Sequence, residues 1–223
     1  MIINYKKMSI RNISNFSIEN LREFVEKYLS QIIYFICFVL IVIFFVIFTS
    51  NRRESKENEL MVNYYKAFNY LNSGNEDEAI KVLNDISNSK YATDDMKSIS
   101  NLKMANLLSS KGKIDEAANI YLKVFFEENN DLFLRDLSGL NALVLLVNKN
   151  NTADYQIIED LIIKLSNPNN PLLVLVNEQE GIFKIQQGKV EDGLEILRNV
   201  LKQDLDENTE KRIKSILSLY ESI

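Results

Sequence analysis

One short block recurs along this chain at a fixed interval, and few folds accommodate that. Gly74-Asn75-Glu76-Asp77-Glu78-Ala79 returns as Gly112-Lys113-Ile114-Asp115-Glu116-Ala117 and again as Gly188-Lys189-Val190-Glu191-Asp192-Gly193. The interval from Gly74 to Gly112 is 38 residues, and that from Gly112 to Gly188 is 76, twice 38. The missing beat falls on Asn150, in Asn150-Asn151-Thr152-Ala153-Asp154, and Asn is the non-Gly residue that best tolerates positive φ. Each block lies between two stretches of helical period. Gly ends one helix in the left-handed conformation, and the acids open the next at its positive dipole end. The Ala that follows has almost no side chain, so the two helices can cross closely. Four such turns at constant spacing predict a stack of helical hairpins.

The apolar positions fit that reading. The first hairpin places Leu60, Tyr64, Ala67, Phe68 and Leu71 on one helix and Ala79, Ile80, Leu83 and Ile86 on the other. The second pairs Ile99, Leu102, Ala105, Asn106 and Leu108 with Ala117, Ala118, Tyr121, Val124 and Phe125. Small residues recur at the crossings, as Ala67 with Ala79, Ala105 with Ala117 and Gly181 with Gly193. The third hairpin is degenerate, with Leu140, Leu143, Val144 and Val147 followed by Tyr155 and Glu159 at small and apolar positions. Ile157, Ile158, Leu161, Ile162 and Leu165 restore its apolar face after a register shift of about one residue. Asn170 is expected to cap the next helix, with Pro171 at its first position. Residues 208–222, with Ile213, Ile216, Leu217 and Tyr220 on one face, read as a capping helix.

Ahead of the repeats, every residue from Ile32 to Phe48 is apolar or aromatic. Residues 30–50 suffice to cross a hydrocarbon core of about 30 Å as one helix. A core helix would carry a polar stripe, and Val46-Ile47-Phe48-Thr49-Ser50 is a poor cleavage site. An uncleaved single-pass anchor is expected. Residues 1–16 read as a disordered basic tail. Residues 17–29 read as an amphipathic helix capped by Ser17, with Ile18, Leu21, Phe24, Val25, Tyr28 and Leu29 recurring at helical spacing. That helix either lies along a membrane or partner surface or simply extends the anchor as a solvated stretch. Residues 51–59 form a charged connector and 60–223 the repeat domain. Lys6, Lys7, Arg11, Arg22 and Lys27 precede the anchor, whereas Arg52, Arg53 and Lys56 follow it. The larger amino-side count favours export of the repeats, and the Arg pair argues the other way.

Composition narrows the chemistry. The net charge of −5 provides no basic field for nucleic acid. There is no His, and the single Cys37 lies in the apolar run, so no intramolecular disulfide can form. No nucleotide-binding Gly loop, nucleophile elbow or metal-ligand spacing occurs. The pairs Glu76/Asp77, Asp115/Glu116 and Glu191/Asp192 repeat with the architecture and open helices, so they read as dipole acids rather than general acid/base pairs. The expectation is a protein that is not an enzyme, with no cofactor, metal or small-molecule substrate.

Small residue, Gly turn, acids and then Ala, with large residues packed behind, resembles the tetratricopeptide repeat, here 38 rather than the usual 34 residues long. The fold class expected is all-α: one N-terminal transmembrane helix, an α-solenoid of about four degenerate tetratricopeptide-like hairpins, and a C-terminal capping helix. The layout as a whole resembles the ancillary subunit of the bacterial Sec translocon, carried by residues 18–27, the anchor and the blocks at Gly74, Gly112 and Gly188. That resemblance implies a bacterial inner-membrane protein with periplasmic repeats. Its partners would be the translocon, periplasmic chaperones or exported clients. The other readings are a structural tether or assembly scaffold of envelope or division machinery, and a cytosol-facing adaptor. In tetratricopeptide stacks the first helix of each hairpin lines a groove. Projecting the register places three rows there: Tyr64, Leu102, Leu140 and Glu178; Phe68, Asn106, Val144 and Ile182; Asn72, Ser110, Asn148 and Gln186. The candidate partner-binding residues are Tyr64, Phe68, Asn72, Asn106, Ser110, Asn148, Glu178 and Gln186. The last row suits hydrogen bonding to an extended peptide, although a solvated helix face reads the same way. Leu102 and Glu178 stand where a clamp for a terminal carboxylate would need cations.

Overall fold

The computed structural model describes residues 10–127 and 131–221, and among them all regular structure is helical. The chain divides into two compact units, Met1–Lys56 and Glu57–Ile223. Helix α1 is Ile10–Asn72. It starts seven residues before Ser17, so residues 10–16, expected to be disordered, are helical; residues 1–9 of the expected tail lie outside the described residues. Several side chains that would form the apolar face of residues 17–29, Ile18 to Val25 among them, also lie outside them.

Within the first unit, α1 is long and apolar enough to cross a membrane, and its most apolar 18-residue stretch is buried against nothing. The side chains from Ile33 to Phe48 stand exposed. Thr49 closes the run by donating its hydroxyl to the carbonyls of Phe45 (2.9 Å) and Val46 (3.0 Å), so its one polar group is satisfied within the helix.

In the second unit, the end of α1 is followed by α2 (Glu76–Ser87), α3 (Asp94–Ser110), α4 (Ile114–Phe126), α5 (Leu132–Lys149), α6 (Tyr155–Leu165), α7 (Leu173–Gln186), α8 (Val190–Val200) and α9 (Glu207–Glu221). From α2 onward each helix packs on the next, and the alternate helices α3, α5 and α7 also touch in sequence. The turns explain the spacing of the repeats. Among the described residues, positive φ occurs at Gly74 (75°), Gly112 (75°), Gly188 (81°) and Asn150 (49°). After each Gly the next N–H bonds back five residues: Asn75 to the Tyr70 carbonyl (2.8 Å), Lys113 to Leu108 (2.9 Å) and Lys189 to Lys184 (3.0 Å). Asn150 caps α5 without that closing bond, and a 3₁₀ turn, Thr152–Asp154, follows before α6 opens. Tyr155 therefore replaces the small residue of the other crossings. Its ring meets Phe183 edge-on at 5.0 Å, and Ile158 becomes the buried residue in place of Glu159.

The core runs through these crossings. Ala67, Ala79, Ala105 and Ala117 are all buried to 1% exposure or less. At the fourth crossing there is room for no side chain: a Cβ on Gly193 would lie 2.5 Å from the Gly181 carbonyl oxygen. One cluster extends from Ala67 and Leu83 through Tyr121, Leu143 and Leu161 to Phe183. A second joins Leu194, Leu197 and Val200 of α8 to Ile213 and Leu217 of α9. Two sequence expectations change. Helix α7 begins at Leu173, so Pro171 lies in the preceding turn. Asn170 still organises that turn, donating to the Leu165 carbonyl (2.9 Å) and accepting from Leu172 N–H (2.9 Å). Ile99 and Phe68, expected among the core positions, stay 41% and 52% exposed.

Gly193→Ala is expected to cost about 1–3 kcal/mol, the usual penalty for overpacking. Gly188→Ala meets open space and pays only for positive φ, about 1–2 kcal/mol. Denaturant titration of the full chain in detergent checks both, and the two variants should separate in that order or coincide at the low end.

Candidate functional site

The exposed faces of the first helices were the expected contact surface, and the structure divides the candidate residues into three groups. Phe68, Asn72, Ser110 and Asn148 are exposed. Ser110 donates its hydroxyl to its own helix at the Leu107 carbonyl (2.8 Å), leaving its lone pairs outward. Tyr64 is half-buried against the core. Asn106 is exposed but engaged, because its Oδ1 accepts the hydroxyl of Tyr121. Tyr121 is otherwise buried, and that burial pushes its phenol up to about 12.

Glu178 is a correction, and Gln186 is half-buried. Glu178 is 0% exposed, and its carboxylate takes both arms of the Arg212 guanidinium from α9, one at 2.5 Å (Nε) and one at 2.7 Å (Nη2). Gln186 donates its Nε2–H to the Val147 carbonyl at 3.1 Å, tying α7 to α5. Leu102 and Leu140 of the same projected row are also buried. For Leu102, Leu140 and Glu178 the reason is that α3, α5 and α7 touch in sequence, so their row faces a neighbouring helix instead of solvent, whereas Asn72, Ser110 and Asn148 of the Gln186 row stay exposed. A lone carboxylate in a row otherwise made of Tyr64, Leu102 and Leu140 was the available signal, since a buried charge requires a partner.

Sequence reasoning also missed a ladder of ion pairs. Lys111 reaches back to Asp77 (2.7 Å) and Glu76 (3.7 Å), and Lys149 reaches back to Asp115 (2.5 Å) and across to Asp154 (3.0 Å). Both lysines end a first helix and both acids open the second helix of the preceding hairpin, so each pair links consecutive repeats. The hydrogen bond from Lys111 holds the Asp77 carboxyl below its ordinary range, and the same bond raises the Lys111 ammonium. Lys149 is raised chiefly by Asp115. The signal was Lys at 111 and 149, the same 38-residue beat as the turns.

Clefts open between these helices. One, about 590 Å³, lies where α4 ends and α5 begins, between Phe126, Phe133, Asp136 and Lys164. Desolvation raises the Asp136 carboxyl there, with Arg135 opposing. A second, about 440 Å³, follows the Lys111 pair between α2, α3 and α4. The third, about 310 Å³, is bounded by Met61, Tyr64, Met96 and Ile99 and is the most apolar. Among the described residues no group of three or more His, Cys, Asp or Glu is placed to hold a metal ion. Of the helix-opening acids, Asp77, Glu78, Asp115 and Glu116 engage lysines and Glu191 engages Arg198.

Arg212→Met strands the buried Glu178 charge and is expected to cost about 3 kcal/mol, the low end for breaking a buried pair, because the guanidinium is half exposed. Replacing both residues by Leu should recover most of that loss in the same denaturation assay. The ladder acts differently. Lowered Asp77 contributes in full above the ordinary carboxylate pKa, and raised Lys111 in full below the ordinary ammonium pKa. Both are therefore present at neutral pH, and the contribution fades as acid titrates Asp77 through its lowered value. Lys111→Met with Lys149→Met should flatten the dependence of Tm on salt at pH 7 relative to the native chain. No family model, curated protein or solved structure matches this chain.

Proposed function

We propose that this chain is a membrane-anchored, non-enzymatic protein-binding adaptor. Under this reading the second unit is a tetratricopeptide-like α-solenoid of about four hairpins with α9 as its cap. The observation that carries it is the pairing, in one chain, of an apolar helix buried against nothing with helical turns recurring at Gly74, Gly112, Asn150 and Gly188. Such repeats present side chains over a long binding surface. The exposed residues Phe68, Asn72, Ser110 and Asn148 give that surface mixed apolar and amide character.

The layout resembles the ancillary subunit of the bacterial Sec translocon, and the adaptor reading extends to the same setting. The apolar helix crosses the inner membrane once, the repeats stand in the periplasm, and the partners are the translocon, its chaperones or exported clients. A cytosol-facing adaptor is the second reading, favoured by Arg52 and Arg53, both exposed directly after the apolar run.

Topology tests this first. Single cysteines at exposed Asn75 and Asn119, in a Cys37→Ser background, are treated in cells with a membrane-impermeant thiol reagent. Labelling once the outer membrane alone is permeabilised is the expected result. Labelling only after the inner membrane is broken reverses the orientation and removes the translocon setting. Exchange of residues 30–50 for an unrelated membrane helix then separates adaptor from tether: the adaptor loses its membrane partner on co-purification, whereas a tether selected through its repeats keeps it.

A further inference from the structure

Beyond the apolar run, one face of α1 stays exposed. Met61, Tyr65 and Phe68 stand 46%, 65% and 52% exposed at positions i, i+4 and i+7. That spacing forms one stripe about 10 Å long on the helix. Ile99 of α3, one repeat after Met61, is 41% exposed beside it. Between the two helices lies the cleft of about 310 Å³ lined by Met61, Tyr64, Thr93, Asp95, Met96 and Ile99. The polar groups in this lining are few. Thr93 uses its hydroxyl to cap α3, accepting the Met96 N–H at 3.2 Å. Neighbouring Asp94 is engaged by Lys97 at 3.2 Å. Asp95 is exposed at the rim, and among the described residues its carboxylate has no ion pair or hydrogen-bond partner.

We propose that this cleft is the docking site for a helical segment of a partner protein, one that lays large apolar side chains along Met61, Tyr64 and Ile99 and brings a Lys or Arg to Asp95. The inference rests on the adaptor reading and specifies its partner's chemistry. Met61 and Tyr64 on α1 and Met96 and Ile99 on α3, each pair three residues apart, form two apolar walls between which the apolar face of another helix fits. Two of the chain's five methionines line the cleft, and their unbranched thioethers adapt to apolar side chains of different shape. The unpartnered carboxylate at the rim supplies the charge complementarity that fixes the occupant's sign. A bilayer surface fits less well, because a concave cleft with an acidic rim repels anionic headgroups.

The probe is an 18-residue capped helical peptide with Leu along one face and a single flanking Lys, compared with the same peptide carrying Glu. Binding to the full chain in phosphatidylcholine nanodiscs is read by fluorescence anisotropy. The Lys peptide is expected to bind about fivefold tighter than the Glu peptide, the size of an exposed charge pair. Asp95→Lys should invert that order. Ile99→Asp and Met61→Asp, both at exposed positions, should each weaken binding by roughly tenfold, the value of one large apolar contact, with helix content and Tm checked for each. Equal affinity of the two peptides for native and Asp95→Lys protein overturns the proposal. So does binding to phosphatidylglycerol vesicles that Ile99→Asp abolishes while peptide binding is absent, which makes the face a membrane contact. A photo-crosslinking residue at 99 and, separately, at 148 distinguishes failure of the cleft from failure of the adaptor reading. Crosslinks to a membrane partner at 148 and not at 99 leave the adaptor and discard the cleft, whereas crosslinks at neither discard both.

Discussion

Close approach of backbones at the hairpin crossings is the constraint on which the rest of the second unit depends. Two helices can cross with their axes close only where neither carries a side chain of any size. Here Ala67, Ala79, Ala105 and Ala117, the small residues expected at the first two crossings, are buried, and Gly181 and Gly193 approach so closely that a single methyl would meet a carbonyl oxygen. Once the crossings are fixed, the left-handed turns at Gly74, Gly112 and Gly188 set the chain's reversal, and the large residues behind them have only one side on which to pack. The third hairpin lacks small residues at its crossing. It compensates with Asn150, a 3₁₀ turn and the Tyr155 ring against Phe183, and its second helix shifts by one residue to keep Ile158 and Leu161 inside.

Charge fastens consecutive units that apolar packing has already brought together. Exposed pairs such as Lys111 with Asp77 contribute little individually, but they recur at the same place in successive hairpins and favour one register over its neighbours. The Glu178–Arg212 pair belongs to another class. Its carboxylate is fully buried, so the guanidinium from α9 is needed to keep it there, and the last helix is held by a bidentate contact as well as by Ile213 and Leu217. Removing one partner therefore matters more than removing both.

Much of this was legible beforehand. Turn positions follow from Gly and Asn because positive φ is a local backbone property, and all four lie where the 38-residue beat places them. Buried second-helix residues such as Leu83, Tyr121 and Val124 follow from helical period. The contact face was less legible. Projection assigned Glu178 of the first row and Gln186 of the third to an open groove, whereas one is paired inside and the other ties α7 to α5. Periodicity says which residues share a line on a helix and is silent on which neighbour that line meets.

What the sequence alone determined is therefore the local part: the apolar run of residues 32–48, the helical hairpins, their turns and the acids that open their second helices. Each follows from a residue's own conformational preference or from its spacing along one helix. Tertiary structure decided the fate of side chains between helices. It buried Leu102 and Leu140, exposed Phe68 and Ile99, and gave Lys111 and Arg212 partners 34 residues away. Those outcomes depend on the distance between axes of separate helices, which no single stretch of sequence encodes.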